Sequence, residues 1–299
     1  MSVSNDINQR QDAADNLERL AAQRYLYSRA KSVRGTVAFV AGALAVAAPL
    51  LGAYWPKSSA ALALAALVWA LVEMMFLDGV EEQCRQLAAL IQEDFDTRVF
   101  SLPWNGALGE RPPPEFVVEH GADGAGDPSL RGWYADVSEL PQSLAVLVCQ
   151  RSSVSWDRQA RTRYRTLLAA LGLALVIGAL CVAFLTDRSL ADFLVSFAVP
   201  LLPLLQHVIK TFRGHGKAQL EQERLLGDIS AAWTRGLSAG GHVAVDELRR
   251  VQDRLLILRR EQTPVPDLLY RWLRSRAENS MQATTRRLID EAKRGLTIS

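Results

Sequence analysis

LADFLVSFAVPLLPLLQHVI, the run from Leu190 to Ile209, is the last of four apolar stretches and decides the fold. About twenty helical residues, at roughly 1.5 Å each, cover the roughly 30 Å hydrocarbon core of a bilayer. Polar or helix-bending residues interrupt the run at helical intervals: Asp192, Ser196, Pro203, and Gln206 or His207. This spacing gathers them into one stripe. Because polar groups are costly in lipid, the stripe should face another helix or water. It fits either helix packing or the wall of a pore.

Three further apolar runs are long enough to span a membrane, at about residues 36–55, 60–77 and 166–185. Arginine and lysine cluster before the first span, before the third span and after the fourth, whereas the short loops inside each pair carry only Lys57 and Arg188. Positive charge favours the cytoplasmic side. We therefore predict a mainly α membrane protein with four transmembrane helices in two hairpins, cytoplasmic helical segments and both termini inside.

The predicted organisation has five segments. They are a cytoplasmic N-terminal helix (1–34), a first transmembrane hairpin (35–77), a cytoplasmic middle domain (78–165), a second hairpin (166–209) and a cytoplasmic helical tail (210–299). Helices are predicted at 80–96, from about Pro141, in the stretch of the tail that includes Trp233, at 245–260 and from Asp267 to about Lys293. Proline- and glycine-rich loops separate the first two, with a short strand at 116–119.

Charge adds little at the level of the whole chain, whose net charge is +2. The tail is more basic, with 17 Lys/Arg against 11 Asp/Glu in residues 210–299. A basic tail fits either a solvated helical surface or contact with anionic lipid or an anionic ligand.

Four residues in the spans are candidates for lining a pore: Glu73, Asp192, Ser196 and Gln206. Glu73 is the one charged residue of the second span and lies about one turn from its end. It fits either a carboxylate that reaches water at the headgroups or a carboxylate at a pore mouth.

The sequence contains no recognisable catalytic or metal-binding motif. The three cysteines (Cys84, Cys149, Cys181) form no CxxC pair, and the four histidines have no metal-ligand spacing. The phosphate-loop, dinucleotide-binding, zinc-protease and serine-hydrolase motifs are all missing. We therefore predict a protein that is not an enzyme and that holds no metal or cofactor.

Aromatic and arginine residues do cluster in the middle segment: Trp104, Arg131, Trp133, Tyr134, Arg151 and Trp156. Such side chains suit a base and a phosphate, through stacking and fork-like hydrogen bonds. They suit an ordinary folded interface equally well.

Four stretches carry a family resemblance: AAQRYLYSRAK (21–31), LPWN (102–105), GWYADVSELP (132–141) and CQRSSVSWDRQARTRY (149–164). With the spans between them, they resemble the S-4TM family of pore-forming effectors, which are associated with SMODS-type nucleotidyltransferases in bacteria. The most distinctive stretch contains Cys149, Gln150, Arg151, Trp156 and Asp157. The family usually has an asparagine where this chain has Ser153.

The resemblance implies a role in CBASS-type anti-phage signalling, in which a nucleotidyltransferase makes a cyclic nucleotide and the effector permeabilises the bacterial inner membrane. The expected partners are the lipid bilayer, the cyclic nucleotide as activating ligand and further copies of the chain, with no nucleic acid polymer. Arg151 and Trp156, with Gln150 and Asp157 beside them, are the candidate ligand-binding residues. A sensor or scaffold that recruits a partner without forming a pore, and an enzyme or transporter with an unfamiliar site, remain open.

Overall fold

The computed structural model describes residues 5–55, 57–156, 158–185 and 189–297, and it describes their side chains except at 53, 159, 268, 270–280 and 297. Within these residues eleven α-helices follow one another: α1 (Ile7–Gln11), α2 (Ala14–Tyr54), α3 (Ser58–Val72), α4 (Asp78–Phe100), α5 (Pro114–Gly121), α6 (Gln142–Ser155), α7 (Arg158–Leu185), α8 (Leu190–Phe193), α9 (Val199–Ser238), α10 (Val245–Glu261) and α11 (Asp267–Thr297). Short 3₁₀ turns cover Gly106–Leu108, Ala122–Gly124 and Pro128–Leu130.

Four helical stretches, which we call rods, are long and apolar enough to cross a membrane. The described residues contain no strand. The predicted fold class is therefore confirmed. Two rods contain a π turn, Glu73–Leu77 between α3 and α4 and Leu194–Ala198 between α8 and α9. Because each rod continues beyond its apolar half, the predicted boundaries at 34, 165 and 209 fall inside unbroken helices.

The spans do not contribute equally to the packed centre. α2, α3 and α9 all pack against one another, whereas α7 lies mainly against α9. Only 6% of the most apolar window of the third span is buried, against 33% for the fourth. The centre is therefore a three-helix cluster with the third span on its outside.

The parts outside the spans form one unit, which we call the helical domain. Its hydrophobic core joins α1 and the start of α2 with the ends of α4 and α9 and with α6, α10 and α11. The largest fully buried side chains include Leu20, Phe95, Leu130, Leu140, Leu144, Leu147, Leu225, Ile229 and Leu255. The N-terminal, middle and tail segments thus share one core, and the side of the membrane on which they lie stays a prediction.

Local chemistry explains several helix ends. Ser101 ends α4 with a left-handed φ of 56°, and Pro103 follows, which cannot continue the ladder. After α9, Gly241 adopts a φ of 90° and its N–H donates to the carbonyl of Gly236 over 2.8 Å. This closing turn relies on glycine at the left-handed position.

The predicted strand at 116–119 is wrong, because these residues lie inside α5. Pro114 occupies the first turn, where its fixed φ favours a helix and its missing N–H costs nothing. Val117 is buried against α2 and α4, in a small core with Ala22 and Ile91. The tertiary contact therefore selects one apolar face of a helix in a segment whose β-branched residues suggested a strand.

Candidate functional site

The predicted pore-lining residues separate into two pairs. Glu73 and Ser196 are buried, with 2% and 4% of their surface exposed. Asp192 and Gln206 are exposed. Three turns of an α-helix take about eleven residues, so His207, rather than Gln206, continues the face of Ser196. Asp192 lies in the first turn of α8, where its N–H donates to the Oγ of Ser189 over 3.1 Å.

Four side chains meet where the spans enter the helical domain, and we call Arg34, Glu73, His207 and Thr211 the polar layer. Oε1 of Glu73 lies 3.7 Å from Nδ1 of His207. Nη2 of Arg34 donates to the Oγ1 of Thr211 over 2.6 Å, and that hydroxyl donates to the carbonyl of His207 over 2.7 Å. Spans one, two and four are thus joined by polar contacts.

The polar layer is incompletely satisfied. Within the described part of the chain, Oε2 of Glu73 and Nε of Arg34 are buried without a hydrogen-bond partner. They line a cavity of about 10 Å³ together with Val33, Val37, Leu77, Asp78, Glu81 and His207, which is about the space of one water molecule. Burying an ionisable group at membrane depth costs free energy. Such a group therefore belongs to a functional site more often than to ordinary helix packing.

Ion pairs border the layer on the domain side. Lys210 of α9 pairs with Asp78 of α4, and Arg85 pairs with Glu81 over 3.0 Å. The Arg85–Glu81 pair stabilises the start of α4, and the Lys210–Asp78 pair joins it to α9. The second and fourth spans therefore enter the helical domain as a joined pair.

One turn further along α9, His215 connects the spans to the end of α10. Nη1 of Arg161 lies 3.1 Å from Nδ1 of His215 and donates to the carbonyl of Thr263 over 2.8 Å, while its Nη2 donates to Gln262 over 2.6 Å. Burial, and then the guanidinium groups of Arg161 and Arg34, lower the pKa of His215 from 6.5 to about 3. His215 is therefore neutral at physiological pH.

The depressed pKa of His215 predicts acid sensitivity. Between about pH 6.5 and about pH 3, His215 binds a proton in the unfolded chain but not in the folded chain. The stabilising contribution is therefore complete above pH 6.5 and is lost as the pH falls, by about 1–2 kcal/mol at pH 5. Thermal unfolding in detergent at pH 7 and pH 5 should show a larger loss for the wild type than for His215→Gln. Equal losses in the two proteins would contradict the assignment.

A second buried network lies inside the helical domain. Asp96 is fully buried and accepts hydrogen bonds from Tyr134 (2.6 Å), Gln252 (2.9 Å) and Arg259 (2.6 Å). Glu93 pairs with Arg249 in the same network. Burial raises the pKa of Glu93, although Arg249 acts in the opposite direction. Every one of these charges has a counter-charge, which indicates a structural network rather than an open site.

The three predicted ligand-binding residues that the structure describes do not converge. Gln150 is fully buried and donates to the carbonyl of Leu248 over 3.0 Å and to Gln252 over 3.1 Å. Arg151 instead donates to Ser230 of α9 over 2.8 Å. Trp156 is half-buried at the end of α6, and Asp157 lies outside the described residues. Contact of these residues with a ligand stays a prediction.

Two further features bear on function. Ser153 places its Oγ 3.3 Å from the Oη of Tyr134, beside the Asp96 network. Among the described residues no three histidine, cysteine or carboxylate side chains are grouped as metal ligands. The sequence missed the polar layer because only Glu73 and the His207 position marked it, and neither indicated its partner.

Comparison with known proteins gives two positive findings. The model of the SMODS-associating 4TM effector domain matches residues 5–288. A probable CBASS effector molecule from Bacillus cereus (strain VD146) is 23% identical over 280 residues, which cover 91% of this chain and 94% of that protein. No solved structure matches the chain.

Proposed function

As a member of the SMODS-associating 4TM effector family, the chain is a membrane effector of anti-phage defence, and we propose that it permeabilises the bacterial inner membrane when it senses a cyclic nucleotide. The relative from Bacillus cereus is named a probable CBASS effector, which supports a signal of this kind. The proposal includes cytoplasmic termini and several copies of the chain.

The observation that carries the proposal is the polar layer. A protein that only anchors a domain in a membrane has no need of a buried carboxylate, guanidinium and imidazole between its spans, since apolar side chains pack there at lower cost. Glu73, His207 and Arg34 meet at the point where three spans join the helical domain. A change in that domain therefore reaches the layer through continuous helices.

The described conformation corresponds to a closed state in this proposal. The cavity at the layer has room for about one water molecule. Separation of the spans would hydrate Glu73 and Arg34, whose buried atoms lack partners in the described part of the chain. Hydration favours opening, and packing of the spans opposes it. A messenger shifts this balance only by binding the open form more tightly.

Several copies are expected to act together. The third span is mostly unburied in the single chain, so it is free to contact lipid or a second copy. Asp192 and Gln206 also face outward. They would line a pore only between copies, whereas Glu73 and Ser196 would line one within the bundle.

The direct test is dye release from liposomes that contain the purified protein, with cyclic di- and trinucleotides added one at a time. Release with one nucleotide alone is expected and would identify the messenger. Silence across the panel, with the protein shown to be folded and inserted, would contradict the proposal. It would favour a sensor or scaffold that recruits a partner without a pore.

A further inference from the structure

The loop after α4 is held in one shape by its own polar groups. Nε1 of Trp104 donates to the carbonyl of Gly109 over 3.0 Å. Asn105 accepts from the N–H of Ala107 over 3.1 Å, and its Nδ2 donates to Asp253 of α10 over 2.9 Å. The loop is therefore fixed to α10, and the half-buried ring of Trp104 has a defined position.

Two exposed arginines beside this loop share one buried carboxylate. The buried carboxylate of Asp94 lies 2.6 Å from Arg19, 3.0 Å from Arg98 and 3.7 Å from Arg111. Arg19 has a second carboxylate, Asp15, at 3.1 Å. Arg98 and Arg111 are exposed and share Asp94 with each other. One carboxylate cannot neutralise both, so their remaining donors are available to an anion.

Arg260, at the end of α10, adds a cation for which the described residues supply no ion-pair partner. Within the part of the chain that the structure describes, its guanidinium has neither an ion pair nor a hydrogen bond, and its Nε is buried. A Cβ added to Gly109 would lie 3.0 Å from its Nη2, so the guanidinium lies against the loop. Leaving a half-buried cation unpaired is costly, and an anionic ligand would remove that cost.

The same place offers a flat stacking surface. The guanidinium of Arg111 lies over the ring of Trp104, 5.2 Å from its centroid. Planar guanidinium groups stack on aromatic rings and keep their fork of donors for phosphate. Glu110 of the same loop is exposed, and among the described residues it pairs with none of these arginines. Bases stack well on aromatic and guanidinium planes.

We propose that Arg98, Arg111, Arg260 and Trp104, which we call the arginine cluster, bind a nucleotide through its phosphodiester and one base. The guanidinium groups donate to the phosphate oxygens, and the base stacks on the Trp104–Arg111 surface. This site rests on the proposed function, because it is where the cyclic nucleotide would bind. It differs from the site predicted at Arg151 and Trp156.

The position of Arg260 also connects the site to the spans. The chain leaves α10 two residues later, and Gln262 and Thr263 accept hydrogen bonds from Arg161 of the third rod. Arg161 also contacts His215, one turn from Thr211 of the polar layer. A ligand that draws Arg260 toward itself therefore acts on a segment that is tied to the spans.

The test is equilibrium binding of radiolabelled cyclic di-AMP, cyclic di-GMP, cyclic GMP–AMP and cyclic tri-AMP to the full-length protein in detergent. Arg260→Gln and Arg111→Gln are each expected to weaken the binding at least about tenfold, which is typical for loss of a charged hydrogen bond. Arg131→Gln, an exposed arginine of the same domain, should bind as the wild type does. Thermal unfolding of each variant checks that the fold is kept, and Arg260→Lys should keep part of the affinity.

Any one of three results would overturn the proposal. Binding that is unchanged in the arginine-cluster variants but lost in Arg151→Gln or Trp156→Phe would place the site elsewhere and leave the proposed function intact. Competition by pyrophosphate as strong as that by the nucleotide would reduce the cluster to a general anion site. If the folded protein binds no cyclic nucleotide, the messenger part of the proposed function fails together with this site.

Discussion

Replacing Glu73 and His207 together by leucine is expected to lower messenger-triggered dye release at least about tenfold, a change of about 1.4 kcal/mol in the opening equilibrium. Both side chains are buried between the spans, and they lie 3.7 Å apart. Apolar substitutes pack in the closed state and gain nothing from water, so opening loses the part of its driving force that comes from hydration of these two side chains. Nucleotide binding by the helical domain should persist, which separates loss of gating from loss of fold.

Two controls sharpen this experiment. Glu82→Leu removes an exposed carboxylate from α4 and should leave release unchanged. The pair Asp192→Leu and Gln206→Leu tests the outward face of the fourth rod. Loss of release in that pair, with normal release in the Glu73–His207 variant, would place the pore wall between copies and would refute a path through the polar layer.

Replacing Asp96 by alanine is expected to destabilise the helical domain by about 3–5 kcal/mol, the usual cost of leaving a buried charge without its partner. Asp96 is fully buried, and Arg259, 2.6 Å away, is also buried. Although burial acts against its charge, Asp96 raises the pKa of Arg259 above the ordinary arginine value. Removing Asp96 takes this compensation away and leaves a buried guanidinium, a group too basic to lose its proton in a protein. A loss of this size is a large fraction of a typical domain's stability.

Thermal unfolding followed by circular dichroism measures this effect, and the midpoint should fall by roughly ten degrees or more. Asp136→Ala is the matched control, because that exposed carboxylate bonds only to Ser138 in the described structure. Adding Arg259→Leu to Asp96→Ala should recover part of the loss. A midpoint within a degree of the wild type for Asp96→Ala alone would show that the network does not stabilise the fold.

Much of the architecture could be predicted from local patterns. The helices predicted at 80–96, from Pro141, at 245–260 and from Asp267 correspond to α4, α6, α10 and α11. Their apolar spacing and flanking breakers are local properties, which a single sequence carries in full. The strand at 116–119 failed because its β-branched residues outweighed the proline that starts α5.

Only part of the candidate site could be predicted from the sequence. Glu73 stood out as a charge in an apolar run, and Ser196 as a member of a stripe. The stripe left Gln206 and His207 open at its far end, and the structure shows that Gln206 is exposed and His207 is buried. Adjacent residues on a helix differ by about 100° in direction, so an error of one position changes which residue faces the centre.

The sequence by itself determined the four spans, the helical periodicity and the family resemblance, because each depends on residues that are close together in the chain or on a recurring pattern. Only the tertiary structure decided that Glu73 meets His207, that Arg34 reaches Thr211 and that Arg260 lies beside the loop of Trp104. Those meetings join segments far apart in the chain. Their geometry is set by how long helices pack, and no local pattern in one sequence records which distant face a side chain will meet.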